Sequence, residues 1–251
     1  MIDLHANTTY SDGTFSVKEL LIKAEEIGLS VLSITDHNTV DAYYELQNSS
    51  IRNLYSGTII NGCEVSTTYN KECIEILAFD FDIDIMNFLL SQNILSFEER
   101  TKEEYELIKR KFYELGIKYN INNITYNPKI ESSKKYFHKE FIKDPNNFKT
   151  LLFPENTSRV SFTRNEIYNP KSILYIDQTH LYPSLEKTIS MIHEAKGLAF
   201  LAHTFEYSPN IAKDLHLIVK KYNLDGLECL YTKFTKEQTK FIVNFCNMYK
   251  L

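Results

Sequence analysis

The sequence is short of several things, and each shortage closes a class. It has no excess of basic charge: 28 Lys and Arg stand against 33 Asp and Glu in 251 residues, a formal net charge of −5. No broad positive face is therefore available to grip a polyanion, although a local pocket for one small phosphate stays open. No apolar run approaches the roughly 18 to 20 residues that cross a bilayer. The opening Met1-Ile2-Asp3-Leu4-His5 has no basic segment followed by an apolar core, so a signal peptide is not expected. Cys63, Cys73, Cys229 and Cys246 are isolated, without CxxC spacing. That excludes a zinc knot or disulfide framework and leaves thiols in apolar packing. The expectation is a cytoplasmic protein with no membrane and no stable nucleic-acid partner. Its length suits one large domain, or one domain carrying an insertion.

What is present is an alternation of short apolar runs and amphipathic stretches. Ile2 to His5 reads as a strand. Ser16 and Glu19 have capping-box spacing ahead of the stripe Leu20, Leu21, Ala24, Ile27, which stops at Gly28. Val31 to Thr35 is a second strand, Thr58 to Asn61 a third with Cys63-Glu64 at its end, and Ile74 to Phe79 a fourth. The rhythm breaks between about Asp84 and Pro183. A charged helix over Phe97 to Leu115 ends near Gly116, followed by the polar segment Asn120 to Asn127 and a Lys-rich piece around Lys134 to Lys139. Regularity returns with a helix after Pro183-Ser184, a strand from Leu198 to His203, a helix capped by Ser208 with Pro209 at its first position, a strand from Leu227 to Tyr231, and a last helix after Thr235. The pattern predicts an α/β fold of about six strands with parallel-sheet character. A barrel domain over residues 1–90 and 184–251 carries an inserted, mostly helical subdomain over 91–183. The chain stops where a seventh strand would enter, which predicts an unpaired edge.

Polar residues recur where these strands stop, the end of an α/β sheet at which loops gather side chains into a site. His5, Asp12, His37, Glu64, Glu75 and His203 collect there, and imidazole nitrogen with carboxylate oxygen is a ligand set for zinc, manganese or iron. Each also has a plainer explanation: a packed core histidine for His5 and His203, a turn residue beside Gly13 for Asp12, a solvent-facing strand position for Glu75. Glu64 has the strongest case, because an unpaired carboxylate after an apolar strand is costly to bury. His180, His193 and His216 fit surface or core roles. His138, close to Lys134 and Lys135, could help hold an anion.

The run Asp3-Leu4-His5-Ala6-Asn7-Thr8-Thr9-Tyr10-Ser11-Asp12-Gly13 resembles the opening motif of the polymerase and histidinol phosphatase (PHP) family. Ile34-Thr35-Asp36-His37-Asn38-Thr39 resembles its second motif, Gly62-Cys63-Glu64-Val65-Ser66 its third, and Gly197 to His203 its Ala-His strand end. Leu224 to Glu228 and Glu237-Gln238 resemble the approach to its last motif. The resemblance implies a distorted seven-stranded, TIM-like (β/α) barrel, incomplete here at the C-terminus, that hydrolyses phosphate esters at two or three divalent metals. By resemblance His5 and Glu64 hold a first metal, Glu64 bridges to a second held with Glu75 and His203, and Asp12 with His37 holds a third. His37, His203 and Asp12 are then the candidates for catalysis.

Three departures qualify that picture. Asn7 stands where the family has a second histidine, an uncharged and weaker donor. Glu75 replaces a ligand histidine and tilts preference toward harder ions. The closing Gly-Ser-Asp-x-His element would fall after Leu251. The expectation is therefore fewer bound metals (Mn, Zn or Fe) than in the family, and a phosphoesterase impaired in this chain. Its substrate would be a small phosphorylated metabolite or nucleotide, with Lys134, Lys135, His138, Arg159 and Arg164 available to a second anionic group. Two alternatives compete: a noncatalytic, metal-depleted binding or regulatory protein, and a PHP-type nuclease.

Overall fold

The structure, a computed structural model, describes residues 1–119, 126–127 and 131–251. Most of the polar segment read at Asn120 to Asn127 thus lies outside the described residues. In chain order the elements are β1 (Ile2–Ala6), α1 (Val17–Glu26), β2 (Val31–Ile34), α2 (Asp41–Glu45), α3 (Ser49–Arg52), β3 (Thr58–Tyr69), β4 (Glu72–Phe79), α4 (Ile83–Asn93), α5 (Phe97–Glu114), α6 (Ser133–Phe141), α7 (Arg159–Ser161), α8 (Leu185–Glu194), β5 (Leu198–Leu201), α9 (Pro209–Tyr222), β6 (Gly226–Leu227) and α10 (Lys236–Tyr249). They form two compact units. One comprises Met1–Thr67, Ile74–Asn93 and Pro183–Leu251; the other comprises Thr68–Cys73 and Ile94–Tyr182.

In the first unit six strands form one sheet in sequence order. β1 pairs parallel with β2, β2 with β3 and β5 with β6, whereas β4 runs antiparallel to β5. The expectation of parallel character throughout is corrected at β4. Asn70 and Lys71 both take positive φ, 47° and 67°, which makes the two-residue reversal that suits the twist of a hairpin. Two further boundaries differ from the sequence reading. Glu64 lies in the middle of a 12-residue β3 and not at its end. β6 is only two residues long, because its partner β5 stops at Leu201 and leaves nothing to pair with beyond the bond from the Glu228 amide to the Leu201 carbonyl. The sheet curls: His5 on β1 and Glu228 just after β6, from opposite ends of the strand order, lie 2.9 Å apart. The result is a distorted, incomplete barrel with a helical insert.

The helix signals read from sequence hold where capping chemistry dictated them. Ser16 and Glu19 form a reciprocal capping box, α1 buries Val17, Leu21 and Ala24, and Gly28 follows with φ 69°. Thr235 and Gln238 cap α10 in the same way. Among the described residues no helix is long and apolar enough to cross a membrane. None of the four cysteines forms a disulfide; Cys63 and Cys246 are buried, Cys73 and Cys229 half-buried.

The second unit packs α5 and α6 around Ile108, Phe112, Phe137, Phe141, Phe162 and Leu174. Within it Glu104 is buried and accepts from Ser133 Oγ at 2.8 Å and Lys134 Nζ at 2.5 Å. Burial opposes its ionisation, but the charges of Lys134 and Arg100 override that and hold the carboxyl below its ordinary value.

One side chain shapes the sheet where the site begins. Tyr43, from α2, is buried, and its hydroxyl enters between β2 and β3. It donates to the Ile34 carbonyl at 2.7 Å and accepts from the amides of Ile34 at 3.1 Å and Gly62 at 2.6 Å. The ladder between the two strands is interrupted beyond Ile34 and resumes as a single bridge between His37 and Glu64. Tyr43→Phe removes the acceptor and leaves two buried amides without one. We expect a loss of about 1–3 kcal/mol in urea denaturation; a variant as stable as the parent would show that the wedge carries no weight.

Candidate metal centre

The site is assembled from the ends and irregularities of the first unit's strands. The register between β1 and β2 shifts between Asp3 and Ala6, and His5 sits in that irregularity. The following loop is fixed by buried Asp36, which accepts from the Thr8 amide at 2.7 Å, Thr8 Oγ1 at 2.6 Å and Ser11 Oγ at 2.5 Å. Gly13 is required in that loop, since a Cβ there would lie 2.1 Å from the Asn7 carbonyl oxygen. His37 is brought to β3 by its bridge with Glu64. His203 follows β5 with φ 23° and ψ 57°, a backbone strained for a non-glycine residue. Glu75, on β4, donates its amide to Tyr207 Oη at 2.9 Å.

Glu64 is the centre. Its side chain is 2% exposed, and three imidazole nitrogens face it: His203 Nε2 at 2.9 Å, His5 Nε2 at 3.1 Å and His37 Nε2 at 3.4 Å. Glu75 extends the cluster, 3.3 Å from His203 Nε2 and 3.5 Å from His37 Nδ1. Burial opposes ionisation of Glu64, yet the facing histidines hold its carboxyl well below the ordinary range. Burial likewise opposes a charge on His5, but hydrogen bonds to Glu228 and Glu64 push it up to about 10. His37 is raised against the same opposition by Glu64, Glu75 and Asp12.

These donors fit a divalent cation. His5, Glu64 and His203 form one group, and His37, Glu64 and Glu75 another, with the ligand atoms of each group within 4.8 Å of one another. Metal–nitrogen and metal–oxygen bonds of about 2.1 Å give ligand-to-ligand edges of about 3.0 Å in an octahedron and about 3.4 Å in a tetrahedron. The ion-pair distances above span that range. One carboxylate shared by both groups is also what bridging two ions requires. In a site of nitrogen and carboxylate oxygen without thiolate, zinc, manganese and iron are the fitting class.

The candidates read from sequence are not all used alike. His5, His37, Glu64, Glu75 and His203 are together: His5 stands with His203 and His37 with Glu75 around Glu64, and Glu75 also lies beside His203, as the resemblance implies. Asp12 is at the rim, 73% exposed and 3.7 Å from His37 Nε2. Asn7 is engaged at both ends, donating from Nδ2 to Asp12 at 3.0 Å and accepting from Thr35 Oγ1 at 3.1 Å. Lys134, Lys135, His138, Arg159 and Arg164 all belong to the second unit. Lys134 is paired with Glu104, and His138 Nε2 lies 2.8 Å from the Thr157 carbonyl; Lys135 and Arg159 are exposed, and Arg164 is half-buried.

Sequence reasoning did not single out Glu228 as part of the site. Its carboxylate contacts His5 Nδ1 at 2.9 Å and accepts from the His203 amide at 2.7 Å. The signal was available, an acid directly after the strand-like Gly226-Leu227, the same pattern that singled out Glu64.

Comparison with known proteins agrees with this architecture. Residues 3–243 match the family model described as PHP domain. A 5′-3′ exoribonuclease of Haemophilus influenzae is 25% identical over 99% of this chain and 86% of its own length. The 5′-3′ exoribonuclease Rnm of Escherichia coli is 25% identical over 82% of this chain and 66% of its own. Among solved structures, an amidohydrolase from Chromobacterium violaceum with bound sulfate and no metal superposes with a TM-score of 0.69 at 20% identity, covering 100% of this chain and 84% of the other. A protein of Bifidobacterium adolescentis provisionally assigned as a metal-dependent phosphoesterase gives 0.65 at 19% identity, with the same coverage. With the family model matched over nearly the whole chain, the chain belongs to the PHP domain family.

Proposed function

We propose that this chain hydrolyses phosphate esters at a divalent-metal centre built on Glu64, with a small phosphorylated metabolite or nucleotide as the substrate. The observation that carries the reading is one buried carboxylate faced by three imidazole nitrogens at coordination-like spacing. His5, Glu64 and His203 would hold the better occupied ion, being the more buried group, and His37 with Glu75 a weaker second. A cation bound there supplies Lewis acidity toward the phosphoryl oxygens and lowers the pKa of water.

The chain's own residues divide the remaining work. Glu64 and Glu75 supply the negative charge that holds cations, and burial of Glu64 keeps competing water away. When the weaker second ion is absent, His37, 25% exposed at the rim with Asp12 beside it, is the group placed to exchange a proton with solvent. Asn7 and Thr35 keep Asp12 at that rim.

A second substrate reading, the 5′ end of an RNA, is favoured by the relatives named as 5′-3′ exoribonucleases. Taking one terminal nucleotide at a time does not demand the broad basic stripe that this acidic chain lacks.

Two measurements test the proposal. Equilibrium dialysis of the metal-free protein against Mn²⁺ should show at least one ion per chain, and Glu64→Gln should weaken that binding at least 100-fold while circular dichroism stays unchanged. A parent that binds no ion would overturn the metal reading. The Mn²⁺-loaded protein should release phosphate from a mononucleotide; release of mononucleotides from a 5′-phosphorylated oligoribonucleotide, with the mononucleotide untouched, would establish the exonuclease reading instead. Turnover of neither substrate by the loaded protein would leave the noncatalytic binding role.

A further inference from the structure

We infer that Glu228 is the positioning residue of this centre, one carboxylate that aims His5 and His203 at the same point. The inference deepens the metal reading above and rests on it. Glu228 Oε1 lies 2.9 Å from His5 Nδ1, the ring nitrogen on the far side from the Nε2 that faces Glu64. Its other oxygen, Oε2, accepts the His203 main-chain N–H at 2.7 Å. Both oxygens are thus engaged on the outer side of the two histidines, which makes Glu228 a support for ligands and not a ligand itself.

Each bond does something different. The first requires a proton on His5 Nδ1, so Nε2 is the nitrogen left to lend its lone pair to a cation; a carboxylate behind the ring also raises its basicity. The second secures a residue whose backbone is in an unfavourable region, φ 23° and ψ 57°. A charge-assisted acceptor on that amide offsets part of the strain and fixes where the His203 ring begins. Glu228 is itself held in register by the bond from its amide to the Leu201 carbonyl. His5 belongs to the first strand of the sheet order and Glu228 follows the last, so this carboxylate joins two edges that no backbone ladder among the described residues connects. Two ligands from distant parts of the sequence are thereby referred to one fixed group.

Glutamine is nearly isosteric but can offer its one oxygen to only one of these donors, while alanine offers none. The experiment uses the full chain as parent, Glu228→Gln and Glu228→Ala, with folding checked by circular dichroism; the glutamine variant serves if alanine fails to fold. In the metal-free proteins, the His203 amide proton should resonate downfield in the parent and move upfield in the alanine variant by ¹H–¹⁵N NMR, whereas the glutamine variant should lose either that shift or the bonded proton signal of His5 Nδ1. In titration with Zn²⁺ alone, the variants should bind the same number of ions about 10–100-fold more weakly, the alanine variant the most. An unmoved His203 amide in the alanine variant, both signals kept by the glutamine variant, unchanged affinity, or the loss of an entire ion at saturation would overturn the assignment. A parent that binds no Zn²⁺ would defeat the metal reading, and the amide signal would still decide whether Glu228 grips His203.

Discussion

The arrangement depends on ionised Glu64 being buried. A carboxylate 2% exposed is tolerable only with positive charge or donated protons on every side. Three imidazole nitrogens meet that demand, and the elements that carry them have to converge for the fold to keep the charge. Without a cation, protons on the rings would answer the same demand, the direction in which the facing carboxylates push His5 and His37. The site and the stability of the curled sheet are thus the same electrostatic problem, and a cation is its alternative solution.

Convergence is produced by irregularity. A fully regular ladder would carry His37 along beside β3 with no freedom to turn toward the site, and Tyr43 prevents that by occupying the hydrogen-bonding groups between β2 and β3. Asp36 ties the loop after β1 to the end of β2 and so sets the rim where Asp12 sits. At the other edge, Glu228 and the strained turn at His203 bring the last strands back to the first. At His5 and His203 the ladder is irregular or ended, whereas His37 and Glu64 meet across a resumed bridge.

Much of this was legible in the sequence, for definable reasons. Capping boxes at Ser16 and Thr235 and the stop at Gly28 follow from local chemistry and were read correctly. The site residues His37, Glu64 and His203 were recognisable because a polar, ligand-type side chain after an apolar run is expensive without a purpose. The direction of β4 was not legible: an alternating apolar run looks alike in parallel and antiparallel pairing, and the decisive feature was the left-handed pair Asn70-Lys71. The length of β6 was also hidden, since it is set by where β5 ends. The contacts of Asn7 with Asp12 and Thr35, and of Glu228 with His5 and His203, were not legible, because spacing along a chain does not record which distant side chains meet.

The central claim, that the nitrogens of His5 and His203 and the carboxylate of Glu64 surround a cation, is tested most directly by anomalous diffraction from crystals soaked in Mn²⁺. The account predicts an anomalous peak between His5 Nε2, His203 Nε2 and the Glu64 oxygens, at about 2.1 Å from each ligand atom. Peaks confined to exposed carboxylates, with the histidine rings still hydrogen-bonded directly to Glu64 at saturating Mn²⁺, would contradict it.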